Sequence, residues 1–163
     1  MKKFRAFPTV VSLLATLVTA GLSSAMNVLG KDGFNALNKP SFQPPDIVFP
    51  IVWGAIYILT FFSASLYFSA AGDKTAGDGA RNTGRVTALY ITMAVLHVLW
   101  SLAVFVLLSP PAGVAIILAY IAVVVLTMRS TAPVSGISSL LLAPQLVWLL
   151  FALALNYALA MLN

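Results

Sequence analysis

Apolar residues run through this chain in long blocks, not at the alternate positions of a strand. No Asp, Glu, Lys or Arg occurs in 6–30, 47–72, 86–128 or 130–163. A run of about 20 apolar residues crosses the hydrocarbon core as one helix. The block 86–128 is too long for one helix and is interrupted by Ser109-Pro110-Pro111, where a helix cannot keep its hydrogen bonds. The pattern therefore predicts five spans, at about 7–29, 47–70, 86–108, 112–128 and 134–161, with a first loop over 30–46. Nothing is left over for a water-soluble domain. The expected architecture is an all-α integral membrane protein, a five-transmembrane-helix bundle forming one domain over 1–163.

Polar residues within the first block are ordered. Ser12, Thr16, Thr19, Ser23 and Asn27 follow one another at intervals of 4, 3, 4 and 4, a stripe about 80° wide on a helix. Such a stripe suits a helix packed in a bundle, where hydroxyl groups bond across helices. A second reading treats 1–26 as a secretory signal, with a basic start and a small-residue site at Ser23-Ser24-Ala25; the stripe favours the span. The fourth span, "AGVAIILAYIAVVVLTM", has almost no polar content and reads as a lipid-facing filler helix.

Composition agrees with the pattern. Of 163 residues 61% are hydrophobic and 8% charged, and the mean hydropathy is +1.00, against roughly 25% charged residues in soluble domains. The net charge of +5 comes from lysine and arginine beside the spans, not from a nucleic-acid-binding surface, so no nucleic acid is expected as partner. Lys2, Lys3, Arg5, Lys74, Arg81, Arg85 and Arg129 share one side by alternation, and Lys31 and Lys39 take the other. In a bacterial inner membrane this puts the N-terminus in the cytoplasm.

The chain has one histidine, no cysteine and no glutamate, so metal-ligand spacings, thiol nucleophiles and catalytic carboxylate pairs are missing. His97 is the one ionisable group well inside a span. What remains is aromatic. Phe49, Trp53, Tyr57 and Thr60 share a face of the second span. Tyr90, Met93, His97, Trp100, Ser101 and Val104 share a face of the third, and Pro144, Trp148, Phe151, Ala152, Leu155 and Leu159 a face of the fifth. Converging, these stripes would make an apolar pocket for a flat ligand; the alternative is an interfacial aromatic belt. Gly84, Ala88 and Thr92, or else Gly21 and Ala25, offer small-residue faces for a homodimer.

The stretch "FNALNKPSFQPPDIVFPIVWGAIY" resembles the signature of the TspO-type translocator proteins, also called tryptophan-rich sensory proteins or peripheral benzodiazepine receptors. Lys39, Pro40, Ser41, Pro44, Pro45, Phe49, Trp53 and Tyr57 carry the match. "LYITMAVLHVLWS" adds Tyr90, Trp100 and Ser101, and "APQLVWLLFALALNYALAMLN" adds Pro144, Trp148, Phe151, Ala152, Leu155, Asn156 and Tyr157. The resemblance implies a dimeric five-helix bundle in membrane lipid that binds protoporphyrin IX, haem and related hydrophobic molecules as ligands, with no cofactor required. The matched positions and the aromatic stripes together give an expected ligand site of Phe42, Pro44, Pro45, Phe49, Trp53, Tyr57, Tyr90, His97, Trp100, Trp148, Phe151 and Leu155. Light-dependent porphyrin breakdown at Trp53 and Trp148 would be a side activity, and the protein is otherwise not expected to be an enzyme. A small-molecule transporter and a scaffold for protein partners are the alternatives.

The chain departs from that pattern at several positions. Phe42 and Phe34-Asn35 replace aromatic loop residues, Gln145 a tyrosine, Met93 a glutamine and His97 an asparagine. No basic residue follows Tyr157, so the sterol-binding consensus is incomplete. His97 introduces a candidate axial ligand for haem iron. Pro40, Pro44 and Pro45 predict a stiff arm that folds as a lid over the outer end of the bundle and brings Phe42 to the pocket.

Overall fold

The computed structural model describes residues 6–72 and 83–163; Lys2, Lys3, Arg5, Lys74 and Arg81 of the charge argument lie outside them. Five helices are long and apolar enough to cross a membrane, and no strand occurs among the described residues. They are α1 (Ala6–Ala36), α2 (Val48–Ala71), α3 (Thr83–Ser101, continued by a π-helical end at Leu102–Val106), α4 (Pro110–Thr131) and a last span in two pieces, α5 (Gly136–Leu140) and α6 (Ala143–Leu162). The helices run up and down in turn. Phe34, near the end of α1, meets Phe105 at the end of α3 with ring centroids 4.8 Å apart. At the opposite end Tyr67 and Ala71 of α2 pack with Val86 of α3.

Two boundaries differ from the sequence pattern. Helix α1 runs seven residues past the expected end at 29, through Lys31 and Asp32, and shortens the first loop to 37–47. Its extension is held by tertiary contact: Phe34 packs on Phe105, and a Cβ at Gly33 would lie 2.8 Å from Leu108 Cδ1. The last span breaks at 141–142 because Pro144 lacks the N–H that would bond the Leu140 carbonyl, while proline is well tolerated in the first turn of α6. Ser135 caps α5 by accepting the Ser138 amide at 3.3 Å.

The fourth span is no filler. Ile117, Tyr120 and Val124 of α4 join Met93, Trp100 and Val104 of α3 and Leu149 and Ala152 of α6 in the main core. Gly113 lets α4 approach: a Cβ there would stand 2.6 Å from Val104 Cγ2 and 2.7 Å from Asn156 Oδ1. The helix most open to lipid is α1, whose Phe7, Leu14, Leu17, Val18, Val28 and Leu29 are all exposed. Its polar stripe faces inward in part: Ser12 and Ser23 are buried, Thr16 and Thr19 half-buried, and Asn27 exposed. Thr16 and Thr19 return their hydroxyls to carbonyls one turn back, at Ser12 and Ala15.

The π-helical end of α3 widens the helix where α1 crosses it. Leu107 N–H bonds the Leu102 carbonyl five residues back at 2.9 Å, and Ser109 N–H bonds the Ala103 carbonyl at 2.9 Å. Leu108 between them is left-handed, with φ of 49°, the conformation of a Schellman-type cap. Gly30 packs directly on the Phe105 carbonyl, with no room for a side chain.

Candidate functional site

Aromatic side chains gather in two adjoining groups. The inner group lies among α2, α3 and α4. The Trp53 ring is 4.1 Å from His97, 6.1 Å from Tyr57 and 5.9 Å from Trp100, centroid to centroid. Tyr120 approaches His97 from α4 at 6.1 Å. Two polar contacts cross between helices: Tyr57 Oη lies 2.7 Å from His97 Nε2, and Trp100 Nε1 donates to Asn156 Oδ1 at 3.2 Å; His97 Nδ1 is buried without a hydrogen-bond partner among the described residues. One layer further, Thr60 donates to Gln145 Oε1 at 3.1 Å while Gln145 Nε2 donates to the Tyr120 hydroxyl at 2.6 Å. Two departures from the family pattern, His97 and Gln145, thus each bridge helices.

The outer group lies between α2, α6 and the first loop. Phe49 meets Trp148 edge to face at 5.9 Å, Trp148 meets Phe151 at 5.3 Å, and Phe42 meets Phe151 edge to face at 6.4 Å. Beside them runs an apolar groove of about 530 Å³ lined by Val52, Leu140, Ala143, Pro144, Val147, Trp148 and Phe151. The buried indole N–H of Trp148 has no hydrogen-bond acceptor among the described residues. An apolar, aromatic-edged wall suits a flat, largely hydrophobic ligand.

The expected site residues divide accordingly. Trp53, Tyr57, His97 and Trp100 come together inside the bundle, with Leu155 buried on α6. Phe42, Phe49, Trp148 and Phe151 form the outer rail. Tyr90 joins neither. It packs near Tyr67 and Phe68 and shares a 2.6 Å hydrogen bond with Ser63. Ser63 and Ser138 each donate to the other's carbonyl at 2.7 Å, which ties α2 to α5. The three tryptophans do not meet at one point: Trp53 and Trp100 pair, and Trp148 sits with the phenylalanines. His97 is 2% exposed and its Nε2 is engaged by Tyr57, so axial ligation of haem iron does not fit this arrangement. Tyr120, Gln145 and Asn156 belong to the interior, and Tyr120 carried a signal that was missed. Gly113, Tyr120 and Thr127 recur every seven residues on α4, and all three are buried.

The proline arm lies along α6 instead of over the end of the bundle. Asn38 and Asn163 grip one another there: Asn38 N–H donates to Asn163 Oδ1 at 2.8 Å, and Asn163 Nδ2 donates to the Asn38 carbonyl at 3.1 Å. Phe42 reaches Phe151, 12 residues earlier on α6, a drop of about 18 Å at 1.5 Å per residue. Pro40 is buried and turns the chain, its carbonyl accepting from Gln43 N–H at 3.0 Å. Pro44 is half-buried, Pro45 is exposed, and Phe42 keeps 49% of its surface open. Lys39 lies over the Phe34 ring and donates to the Phe34 carbonyl. Burial holds its ammonium below the ordinary lysine range, with Asp46 pulling the other way. Replacing Asn163 with Ala removes two bonds to the arm. Hydrogen exchange at 37–47 should then speed up while α3 and α4 are unchanged, and an arm equally protected in the variant would show that Phe42 and the remaining contacts of Asn38 and Lys39 suffice to hold it.

The model of the TspO/MBR family matches residues 7–162. The chain belongs to the TspO/MBR family. It is 37% identical over 134 residues to the tryptophan-rich protein TspO of Chlorobaculum tepidum, covering 80% of this chain and 78% of that one. It is 36% identical over 155 residues to the TspO of Archaeoglobus fulgidus, covering 94% and 95%. Identity to the tryptophan-rich sensory protein of Cereibacter sphaeroides is 25% over 152 residues, 92% of this chain and 90% of that one. TspO/MBR membership and five apolar helices together make this an integral membrane protein.

Proposed function

We propose that this TspO/MBR protein is a membrane receptor or sensor for tetrapyrroles such as protoporphyrin IX and related hydrophobic ligands, bound in the groove between α2 and α6. The observation that carries the reading is the apolar groove edged by the rings of Phe49, Trp148 and Phe151. Its volume of about 530 Å³ falls in the roughly 300–1,000 Å³ range of small-molecule sites. The aromatic rail would stack on a macrocycle. The name of the Cereibacter sphaeroides relative, a sensory protein, supports sensing over transport. Light-dependent breakdown of a bound porphyrin is part of the proposal, with the neighbouring tryptophans as its reactive side chains.

The test is a titration of the chain in lipid nanodiscs with protoporphyrin IX, followed by tryptophan fluorescence. Saturable quenching at one site per chain, with affinity several-fold weaker in Trp148→Leu, is the expected result. Linear, unsaturable quenching would reject the receptor reading, and ligand flux into liposomes would favour a transporter.

The reading includes a homodimer in a bacterial inner membrane with the N-terminus in the cytoplasm, on the strength of seven basic residues on one side against two on the other. Single cysteines at Asn38 and Ala132, both exposed and at opposite ends, provide the check. Asn38→Cys should react with an impermeant maleimide from outside intact cells and Ala132→Cys only after lysis. The reverse pattern would invert the topology.

A further inference from the structure

Of the three tyrosines in the middle of the bundle, only Tyr57 faces a base. Its hydroxyl oxygen is 2.7 Å from His97 Nε2, a short hydrogen bond. Tyr90 meets the hydroxyl of Ser63 at 2.6 Å, and Tyr120 meets the amide of Gln145 at 2.6 Å. A hydroxyl and a carboxamide do not take up a proton near neutral pH, whereas imidazole does. Tyr57 is also in ring contact with an indole pair, Trp53 at 6.1 Å and Trp100 a further 5.9 Å beyond. Phenol and indole are the side chains most readily oxidised by one electron without breaking the chain. The chemistry of a proton-coupled electron donor is therefore assembled at one place, inside the membrane.

We propose that Tyr57 and His97 form a proton-coupled redox pair, fed through Trp53 and Trp100. The oxidant is a photoexcited macrocycle dissolved in the membrane, acting as a one-electron acceptor. It takes one electron from the cluster. The Tyr57 O–H bond breaks, its proton forms a new N–H bond at His97 Nε2, and Tyr57 is left as the neutral phenoxyl radical. The step runs from the Nδ1–H tautomer, in which Nε2 is free to accept, and it turns His97 into imidazolium. Return of one electron from the reduced acceptor sends the proton back to the phenol oxygen.

Proton movement is required by the surroundings. A phenol that has lost an electron is a strong acid, and His97 is 2% exposed, away from bulk water that could accept the proton. Oxidation leaves one unit of positive charge in the cluster whether or not the proton moves. The transfer places that charge on imidazole, the group present that holds it best. At Tyr90 and Tyr120 the same oxidation would have nowhere to put the proton.

This inference goes beyond the tetrapyrrole reading, and an added oxidant tests it independently of any bound porphyrin. The full chain is placed in nanodiscs with a membrane-soluble ruthenium polypyridyl sensitiser and a sacrificial electron acceptor, illuminated, frozen and examined by electron paramagnetic resonance. A neutral tyrosyl radical is expected. It should vanish in Tyr57→Phe and persist in Tyr157→Phe, whose ring is 60% exposed on the outside of the bundle. In His97→Asn it should fall about tenfold, the factor that one hydrogen bond to an ionised partner is worth. Formation in the unaltered chain should slow in deuterium oxide, a measurement that needs no substitution and stays decisive if a variant fails to fold. Tryptophanyl radicals alone, a tyrosyl signal that survives Tyr57→Phe or is undiminished in His97→Asn, or a rate indifferent to deuterium would each overturn the pair.

Discussion

Gly30→Val should be the most damaging single substitution in the first helix, lowering stability by about 3 kcal/mol or more. A Cβ at this position runs into the carbonyl of Phe105. That obstacle is backbone, held by the π-helical hydrogen bonding of 102–106, so it cannot swing aside as the end of a long side chain could. Helix α1 would have to withdraw from α3, and the Phe34–Phe105 contact at 4.8 Å would open with it. Gly21 is the control, because a Cβ there meets nothing within 4 Å. Gly21→Ala should be neutral or slightly stabilising, since alanine suits a helix better than glycine by about 1 kcal/mol. Unfolding by a denaturing detergent, monitored by circular dichroism, separates the two. Equal stability of both variants would mean that α1 crosses α3 at a different register.

The second large effect concerns binding. Trp148→Leu should weaken protoporphyrin binding several-fold, and Trp148→Leu with Phe49→Leu by roughly thirtyfold, taking about 1 kcal/mol for each aromatic ring removed from beside the ligand. Both changes keep an apolar wall, so the weakening reports stacking, not a collapsed groove. Trp53→Leu should behave differently. Trp53 packs on His97 at 4.1 Å and on Trp100 at 5.9 Å, inside the bundle and outside the groove lining. Its replacement should cost thermal stability more than affinity. A Trp53 variant that binds as weakly as the Trp148 variant while melting normally would move the ligand inward, into the α2–α3 cluster.

Span count and aromatic faces were legible in the sequence because lipid imposes them: charge-free blocks have few other uses, and Trp53, Trp100 and Trp148 sit on clear helical stripes. Helix ends were less so. Lys31 and Asp32 read as loop, and only the contact of Gly30, Gly33 and Phe34 with the end of α3 explains why α1 continues through them. Helix α4 misled for another reason. In water an apolar helix surface signals burial, but in lipid apolar surface is needed on every exposed face, so hydropathy does not distinguish inside from outside. The informative residues there are the sparse ones, Gly113, Tyr120 and Thr127. Neither could pairing be read from spacing: that His97 would meet Tyr57, and Gln145 both Thr60 and Tyr120, depends on helix rotation and tilt.

The groove beside Trp148 opens on the flank of the bundle, past the exposed side chains of Val147 and Leu140. In a bilayer that flank faces acyl chains, so whatever occupies the groove arrives sideways from the lipid and not from water. Its occupancy is then governed by two equilibria in series, partition into the bilayer and capture from it. The concentration that counts is moles of ligand per mole of lipid. At fixed ligand and protein, adding empty vesicles should empty the site in proportion to the lipid added, although no competitor for the site has been introduced. Two preparations that differ only in lipid content would give different apparent dissociation constants for the same protein.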